Sequence, residues 1–570
     1  MSLEKIADRI YECDVLVAGA GVGGAPLATR AAEQGLSVIC IEKSNAARCG
    51  NAAHGMDHYG VFPHGVSVQE LVTMWQNSRH RGVVNGKGTF VNPNLDYVLA
   101  KNVFPATLHM ESWGVPMAWT EDGKWYWTPH QIHQKGLRLG IRVHWERVKH
   151  HTKRIMIQKG VKVLDRVMLV DLLKSNDKVV GVTGLDTRTG EFIVIKAKAT
   201  SIATGMFCRC YDPEGPLSWK YKMLYHYCPA TTSGDGWAAA YRAGVGLAHM
   251  DLASWGFRVR DHLTVSFGSF VSNDGIPSKV FDWKGTEIPN LSAITPQGYD
   301  ALEREGRMPI YQSLEHLPPD YQKRLEVAYA DEYFFALKMA GERGFNPAHH
   351  RWEFMKNKPL QFMLLQGLYV GEKMESTMKG LYAIGDAAVG VGGCHGAVTS
   401  AYVLGNNLPT FVSENGEPDI DLDQVQQQKE AVYAPMKVKK GHTEPMEIEC
   451  AIRYICETYI GTFKSEGKLR EGMRRLRTLK REFLPRMAAK NPHYLMRALE
   501  VRNIMDLVEV HFGATMERKE SRGSYIRLDY PKMDPSRDPY ITLSTLKNGE
   551  AILEKVELPE MNPEYMKEGA

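Results

Sequence analysis

Three things are scarce in this chain, and each scarcity excludes a class of function. No uninterrupted apolar run reaches the roughly 18 residues that a membrane-spanning helix needs, so no direct membrane span is expected. Net charge is small: 70 Lys and Arg face 66 Asp and Glu, a formal +4. That is too little over 570 residues to make nucleic acid the main partner. Cysteine is sparse and unpatterned. Cys13, Cys40, Cys49, Cys208, Cys210, Cys228, Cys394, Cys450 and Cys456 are odd in number and include no Cys-x-x-Cys pair. This predicts reduced thiols in a cytoplasmic protein, with no metal site and no iron–sulfur cluster on the chain itself. Met1 to Tyr11 mixes charge with isolated apolar residues, unlike a secretory leader. Repeats and low-complexity tracts are missing too. What remains is an apolar content of 44%, ordinary for a globular protein. The length suggests about three or four folded units.

The first fifty residues carry the strongest positive signal. Asp14-Val15-Leu16-Val17-Ala18 reads as a buried strand running into Gly19-Ala20-Gly21-Val22-Gly23-Gly24 and then a helical run from Ala25 to Gln34. Ser37 to Ile41 reads as a second strand ending at Glu42. Strand, glycines, helix and terminal acid together form a dinucleotide-binding fingerprint. Gly19 permits the turn, Gly21 admits a pyrophosphate, and Gly24 lets helix and strand pack closely. The helix start offers N–H groups to phosphate. Glu42 is placed to accept hydrogen bonds from a ribose.

Further pieces of the same unit are scattered. Val179 to Lys196 has a hairpin pattern around Thr189-Gly190, and Ser201-Ile202-Ala203-Thr204-Gly205 is a strand ending in glycine. Thr232 to Gly236 precedes a helix-like Trp237 to Ala243, and Gly380 to Asp386 is a strand ending in Gly-Asp. Gly390 to Gly396 reads as a glycine loop before a helix from Ala397 to Leu404. The chain divides into a dinucleotide-binding unit of 1–250 and 366–424, an inserted 251–365, a helical and charged 425–535, and a tail of 536–570 with a β-like Ile541 to Leu546. The expected class is α/β: a Rossmann-like dinucleotide-binding domain, an inserted α+β domain and a C-terminal helical domain.

With these motifs in place, the chain resembles the flavoprotein subunit of the fumarate reductase and succinate dehydrogenase superfamily, on the side of the alpha subunit of dissimilatory adenylylsulfate reductase. The resemblance rests on Gly19–Gly24 with Glu42, Ala203-Thr204-Gly205, Ser233-Gly234-Asp235-Gly236, Gly380–Asp386 and Cys394-His395-Gly396-Ala397. Ala498–Asn503, Arg518–Gly523, Arg527–Pro531 and Glu305–Tyr311 extend it toward the C-terminus. It implies FAD, a capping domain inserted in the flavin domain, and electron exchange with a separate, ferredoxin-like iron–sulfur subunit. It also implies that Lys43, Gly50, Asn51, Ala203, Thr204, Gly205, Asp235, Gly385, His395 and Ala397 join Gly19, Gly21, Gly23, Gly24 and Glu42 around the cofactor. Asp386 suits a ribityl hydroxyl, its alternative being a helix N-cap. The helix near Ala397 can aim its N-terminus at the flavin's pyrimidine edge.

Departures from the family fall at the substrate end. Leu364 to Leu368 has no histidine where fumarate reductases carry His-x-Thr-x-Gly-Gly, and Val398-Thr399 replaces an Asn-Arg that grips a carboxylate. Neutral residues do not replace bidentate cations cheaply, which argues against fumarate or succinate. The first histidine is missing relative to adenylylsulfate reductase as well. Arg258 matches an arginine near that enzyme's substrate face, its alternative being a salt bridge with Asp261. His54 falls where the resemblance has the chain pass the flavin ring, its alternative being a satisfied polar contact; Arg258 and His54 are the catalytic candidates. Cys49 stands where covalent members attach the flavin through histidine; non-covalent FAD is the expectation, a cysteinyl flavin the alternative. Gln134 to Arg154 and Lys464 to Lys490 are rich in basic residues. Solvated helix faces are the plain reading of both, against an anion site in the first and docking of an acidic electron-transfer protein in the second. The reading is an FAD-dependent oxidoreductase, the catalytic subunit exchanging two electrons with a small anionic substrate. The alternative is an electron-transfer or bifurcating module without organic substrate, or an enoate reductase of the fumarate reductase type.

Overall fold

A computed structural model describes residues 2–54, 58–60, 67–73, 91–115, 117, 125, 140–143, 147–211, 229–252, 254–255, 259–260, 279–288, 296–313, 315–316, 318–319, 349, 351–354, 359–361, 365–439, 443–522, 525–537 and 540–567. Strand β1 (Arg9–Ala18) turns wholly apolar toward its end, and Val15 to Ala18 have no exposed surface. Each such buried Val or Leu contributes about 1.5–3 kcal/mol. Helix α1 (Gly24–Glu33) buries Leu27 together with Ala25, Ala28 and Ala31, whose small side chains let it lie close to the sheet. Strand β2 (Val38–Glu42) is buried throughout, as a parallel strand covered on both faces must be.

Helix α2 (Val148–Gln158) leads into β3 (Lys162–Asp165), β4 (Val167–Ser175), β5 (Lys178–Asp186) and β6 (Phe192–Ile202). Helix α3 (Asp235–Arg242) follows, and β7 (Leu381–Ala383) returns to the same sheet much later. The sheet runs β3-β2-β1-β6-β5-β4, with β7 also on β6. The second edge of β6 is shared: Phe192 to Lys196 pair antiparallel with β5, and Thr200 to Ile202 pair parallel with β7. The expected hairpin is therefore β5–β6, turned through Gly190 (φ 80°), with Asp186 accepting from the Arg188 and Thr189 N–H groups at 2.9 and 3.0 Å. Ala18 lies opposite both Ile41 and Ile202. The carboxyl ends of β1, β2 and β6 thus fall on one line, where open α/β sheets receive ligands.

Residues 259–354 carry a separate antiparallel sheet, ordered Val259–Arg260, Trp352–Phe354, Ile310–Ser313, Lys279–Asp282 and Glu287–Ile288, which shares no strand with the first. Helix α4 (Gly393–Asn415) begins earlier than the glycine content of Gly390 to Gly396 suggests, and takes Gly393 and Gly396 into its first turn. Helices Leu422–Tyr433, α5 (Pro445–Ile455), α6 (Glu466–Glu482) and α7 (Pro492–Glu517) follow. A Glu444/Glu447 capping box starts α5, and Asn491 caps α7 by accepting from Tyr494 N–H at 3.0 Å. One apolar cluster runs from Val15 to Ala18 through Trp237 of α3 to Val501, Leu507 and Phe512 of α7. The C-terminal helices therefore share the sheet's core. In the tail, Tyr540–Lys547 forms a hairpin with Glu550–Glu557 and pairs with Leu247–Ala248. Among the described residues, no helix is long and apolar enough to cross a membrane.

Candidate functional site

At the carboxyl ends of β1, β2 and β6 opens a cleft. Gly19, Gly21 and Gly23 line it from the first turn, Glu42 and Lys43 from the end of β2, and Gly50 and Asn51 from the loop beyond. Ala203, Thr204 and Gly205 enter after β6, Asp235 from α3, Gly385 and Asp386 after β7, and Ala397 from α4. Two other expected residues stand outside this lining. Gly24 lies under the turn, as the first residue of α1. His395 turns toward Gly60, where an added Cβ would lie 2.7 Å from its Nδ1, and meets the Tyr59 ring edge-on at 6.4 Å between centroids. His54 ends a short 3₁₀ turn, Asn51–His54, and its side chain lies outside the described residues. Arg258 and Asp261 lie wholly outside them.

The turn has the shape that its glycines require. Gly19 adopts φ 104°, and a Cβ there would overlap the Ala203 carbonyl oxygen. At Gly24 a Cβ would overlap the Gly19 carbonyl oxygen, so helix and turn meet backbone to backbone. Around Gly21, by contrast, nothing lies within 4 Å of such an atom, and that face opens on the cleft. Glycine stands at the N-cap of both α1 and α4, so neither helix start is capped by the side chain of that residue, and both can receive an anion or acceptor beside the cleft.

Glu42 accepts from Ala20 N–H at 3.0 Å through Oε2, and from Ser44 N–H and Oγ at 2.8 Å through Oε1. Its oriented oxygens keep lone pairs for a further donor. Lys43 is already engaged. Its ammonium donates to Ser233 Oγ at 2.7 Å and forms ion pairs with Asp235 at 2.6 Å and Glu500 at 2.8 Å. Glu500 also binds Arg209 at 2.7 Å and Arg497 at 2.6 Å, and Arg209 continues to Glu449 at 2.6 Å. A buried ionic network thus ties the cleft wall to α5 and α7. Asp386 accepts from Gly393 N–H at 3.3 Å and so touches the start of α4 from a distance in sequence. Burial pushes its carboxyl up to about 6, opposed only by that hydrogen bond. Cys49 donates to the Ala20 carbonyl at 3.1 Å; burial raises its thiol to about 12 despite nearby Lys149. That thiol is a poor nucleophile.

The orphaned polar atoms suit a polyhydroxylated dinucleotide such as FAD. Asn51 Oδ1 and Thr204 Oγ1 are buried at the cleft without a hydrogen-bond partner. The Asp386 carboxyl has one weak partner where a hydroxyl would supply a better one. Gly21 leaves room for the pyrophosphate, and Glu42 can take a ribose hydroxyl.

Several residues escape motif reading. Thr231, Thr232 and Ser233 line the cleft alongside Asp235; the Ser-Gly-Asp-Gly motif points to them without separating their roles. Lys149 sits in a stretch whose plain reading is a solvated helix, yet it is buried, and its ammonium donates to the Ala20 carbonyl. The spacing of Lys149, Thr152 and Met156, all buried on one face of α2, is the signal that places it inside. The second basic stretch, on α6, is exposed and largely satisfied locally. Glu471 binds Arg474 and Arg475 at 2.7 Å each, and Glu509 binds Lys480 at 2.8 Å. Such pairs are worth about 0–1 kcal/mol. The C-terminal signature is structural: Glu520 is fully buried and binds Arg518 at 2.6 Å and Arg522 at 3.0 Å, while Arg518 also binds Asp251.

Comparison with known proteins agrees with this geometry. Residues 14–263 match the model of an FAD binding domain, and residues 451–567 match that of the fumarate reductase flavoprotein C-terminus. An uncharacterized FAD-dependent oxidoreductase of Methanocaldococcus jannaschii is 24% identical over 472 residues, 79% of this chain and 82% of the relative. A fumarate reductase (CoM/CoB) chain of Methanothermobacter marburgensis is 22% identical over 558 residues, 92% of this chain and 96% of the relative. Among solved structures, adenylylsulfate reductase of Archaeoglobus fulgidus superposes with a TM-score of 0.82 at 22% identity, covering 98% of each chain. The glycine turn with its helix, the cleft lining from Ala18 to Asp235 and the C-terminal knot fall inside the matched segments, and the chain belongs to the fumarate reductase and succinate dehydrogenase flavoprotein superfamily, whose members are FAD-dependent oxidoreductases.

Proposed function

We propose that this chain is the catalytic, adenylylsulfate-reductase-like subunit of a cytoplasmic complex. It exchanges two electrons between a small anionic substrate and FAD and passes them to or from an iron–sulfur partner. The observation that carries the cofactor assignment is convergence. Gly19, Glu42, Asn51, Thr204, Asp235 and Asp386 come from separate parts of the sequence and meet in one cleft at the carboxyl edge of the sheet. FAD supplies reversible two-electron chemistry when bound. The chain's own residues supply the rest. Gly19 to Gly24 and the start of α1 receive the pyrophosphate, and Glu42 orients the adenosine ribose. Asp386, Asn51 and Thr204 take ribityl hydroxyls, while the start of α4 steadies negative charge at the pyrimidine edge. The protonated Cys49, turned to the Ala20 carbonyl, favours non-covalent FAD.

The likeness to adenylylsulfate reductase and to a methanogen fumarate reductase supports an electron-exchanging role, and the missing carboxylate clamp argues against a simple dicarboxylate. Purification from the native host tests both levels. Visible flavin absorbance, with FAD released on denaturation, is expected, together with a co-purifying iron–sulfur protein. A colourless protein that takes up no FAD overturns the cofactor assignment. FAD-loaded protein that is isolated without an iron–sulfur partner overturns the subunit reading.

A further inference from the structure

Lys149 is unusual on three counts. It lies 2% exposed in the first turn of α2, where the helix dipole already disfavours a cation. Among the described residues no carboxylate pairs with its ammonium. Its hydrogen bond goes to a neutral acceptor, the carbonyl of Ala20, in the middle of the dinucleotide turn. The Glu42 carboxylate acts on the same Cys49 thiol and offsets part of this charge without a direct ion pair, so an anion arriving nearby would offset more of the cost of burying the ammonium.

Ala20 itself is clamped from both sides. Its N–H donates to Glu42 at 3.0 Å, and its carbonyl accepts from Lys149 and from Cys49 at 3.1 Å. Gly19 and Gly21 line the cleft, whereas Ala20 does not. The carbonyl dipole between them is thereby fixed away from the place where phosphate oxygens would sit, and a carbonyl turned the other way would repel them. We propose that Lys149 is a positioning residue for the dinucleotide turn, and that its ammonium, behind Ala20, is the counter-charge for the pyrophosphate of the bound cofactor. This rests on the FAD assignment above.

The test compares wild-type protein with K149M, K149Q and K149R, each stripped of flavin, by direct titration with FAD and by displacement of FAD with ADP and with adenosine. Losing a charge-assisted contact predicts FAD and ADP affinities lower by roughly ten- to a hundredfold in K149M. Adenosine, which has no phosphate, should bind all four alike, and K149R should stay near wild type. K149Q can still donate to the Ala20 carbonyl but lacks the charge, so it reads the counter-charge even if K149M does not fold. ADP affinity in K149Q equal to wild type overturns the counter-charge. Equal losses for ADP and adenosine reduce Lys149 to a fold support and overturn the proposal. If wild-type protein binds no FAD, the cofactor assignment fails instead, a separate result.

Discussion

Replacing Glu500 by glutamine should destabilise the protein severely although the shape of the side chain is kept. The network around it sets Lys43, Arg209, Arg453 and Arg497 against Asp235, Glu449 and Glu500, four cations to three carboxylates. Glu500 accepts from Lys43, Arg209 and Arg497 at 2.8, 2.7 and 2.6 Å and is 1% exposed. E500Q would raise the excess positive charge from one to two and aim an amide N–H at a cation. Removing one partner of a buried, hydrogen-bonded ion pair costs about 3–5 kcal/mol. Since Lys43 and Asp235 form part of the cleft wall, flavin release should move with unfolding. Guanidinium denaturation followed by flavin fluorescence and far-UV circular dichroism reads both. The pH dependence has a defined sign. Burial alone would raise Glu449, but Arg209, Arg453 and Arg497 bring it down to about 2, and Arg209, Lys43 and Arg497 likewise hold Glu500 well below the ordinary carboxylate range. Groups with depressed folded pKa values add stability that is present above the unfolded value, about 4.3, and is lost as pH falls through the folded one. The stability gap between wild type and E500Q should therefore narrow on acidification from about pH 5 toward 2. An unfolding midpoint in E500Q matching wild type at pH 7 would refute the reasoning.

Three further outcomes follow from the cleft. G24A places a Cβ against the Gly19 carbonyl, backbone that cannot yield cheaply, so it should cost about 1–3 kcal/mol and most of the bound flavin; stoichiometric flavin at wild-type stability would count against that packing. Asp386, raised to about 6 by burial, is to accept a ribityl hydroxyl best when ionised. FAD affinity should therefore rise between pH 5 and 7 in wild type and lose this dependence in D386N, as read by titration of the apoprotein; a pH-independent wild type would rule it out. C49A should bind FAD, and acid precipitation of wild type should release all its flavin; flavin that stays with the wild-type polypeptide and is lost in C49A would establish a thioether instead.

How much of this was legible in the sequence depended on how local the physics is. The turn from Gly19 to Gly24 with Glu42 is a chain-local constraint: glycine conformations, a helix start and the end of a strand, all within a short span. The β5–β6 hairpin is equally local, and so is the strand before Asp386. The shared edge of β6 was not. Nothing near Phe192 to Ile202 shows that half of this strand pairs with β5 and half with β7, because that depends on a strand arriving almost two hundred residues later. Glycine content misled at Gly390 to Gly396, where the loop reading stopped short of a helix that starts at Gly393. Contact between Asp386 and the Gly393 N–H accounts for part of this, since the acid steadies a helix start whose first residues would otherwise favour a loop.

Charge was the least legible property, for a reason that also explains why the fold could be read more easily than the reaction. Lys149 sits in a stretch whose plain reading is a solvated helix face, yet it is buried and engaged. Conversely, the most densely basic stretch, on α6, is an exposed face whose charges pair within the helix or with α7. Charge density therefore does not locate the chemistry here; helical phase does. The C-terminal signature makes the same point. Arg518, Glu520 and Arg522 form a buried knot holding the end of α7 to Asp251, next to the start of the segment with the separate sheet. Such residues are buried and mutually paired, so they report on the scaffold. They hold the frame without lining the cleft, so the frame is legible from them and the substrate is not.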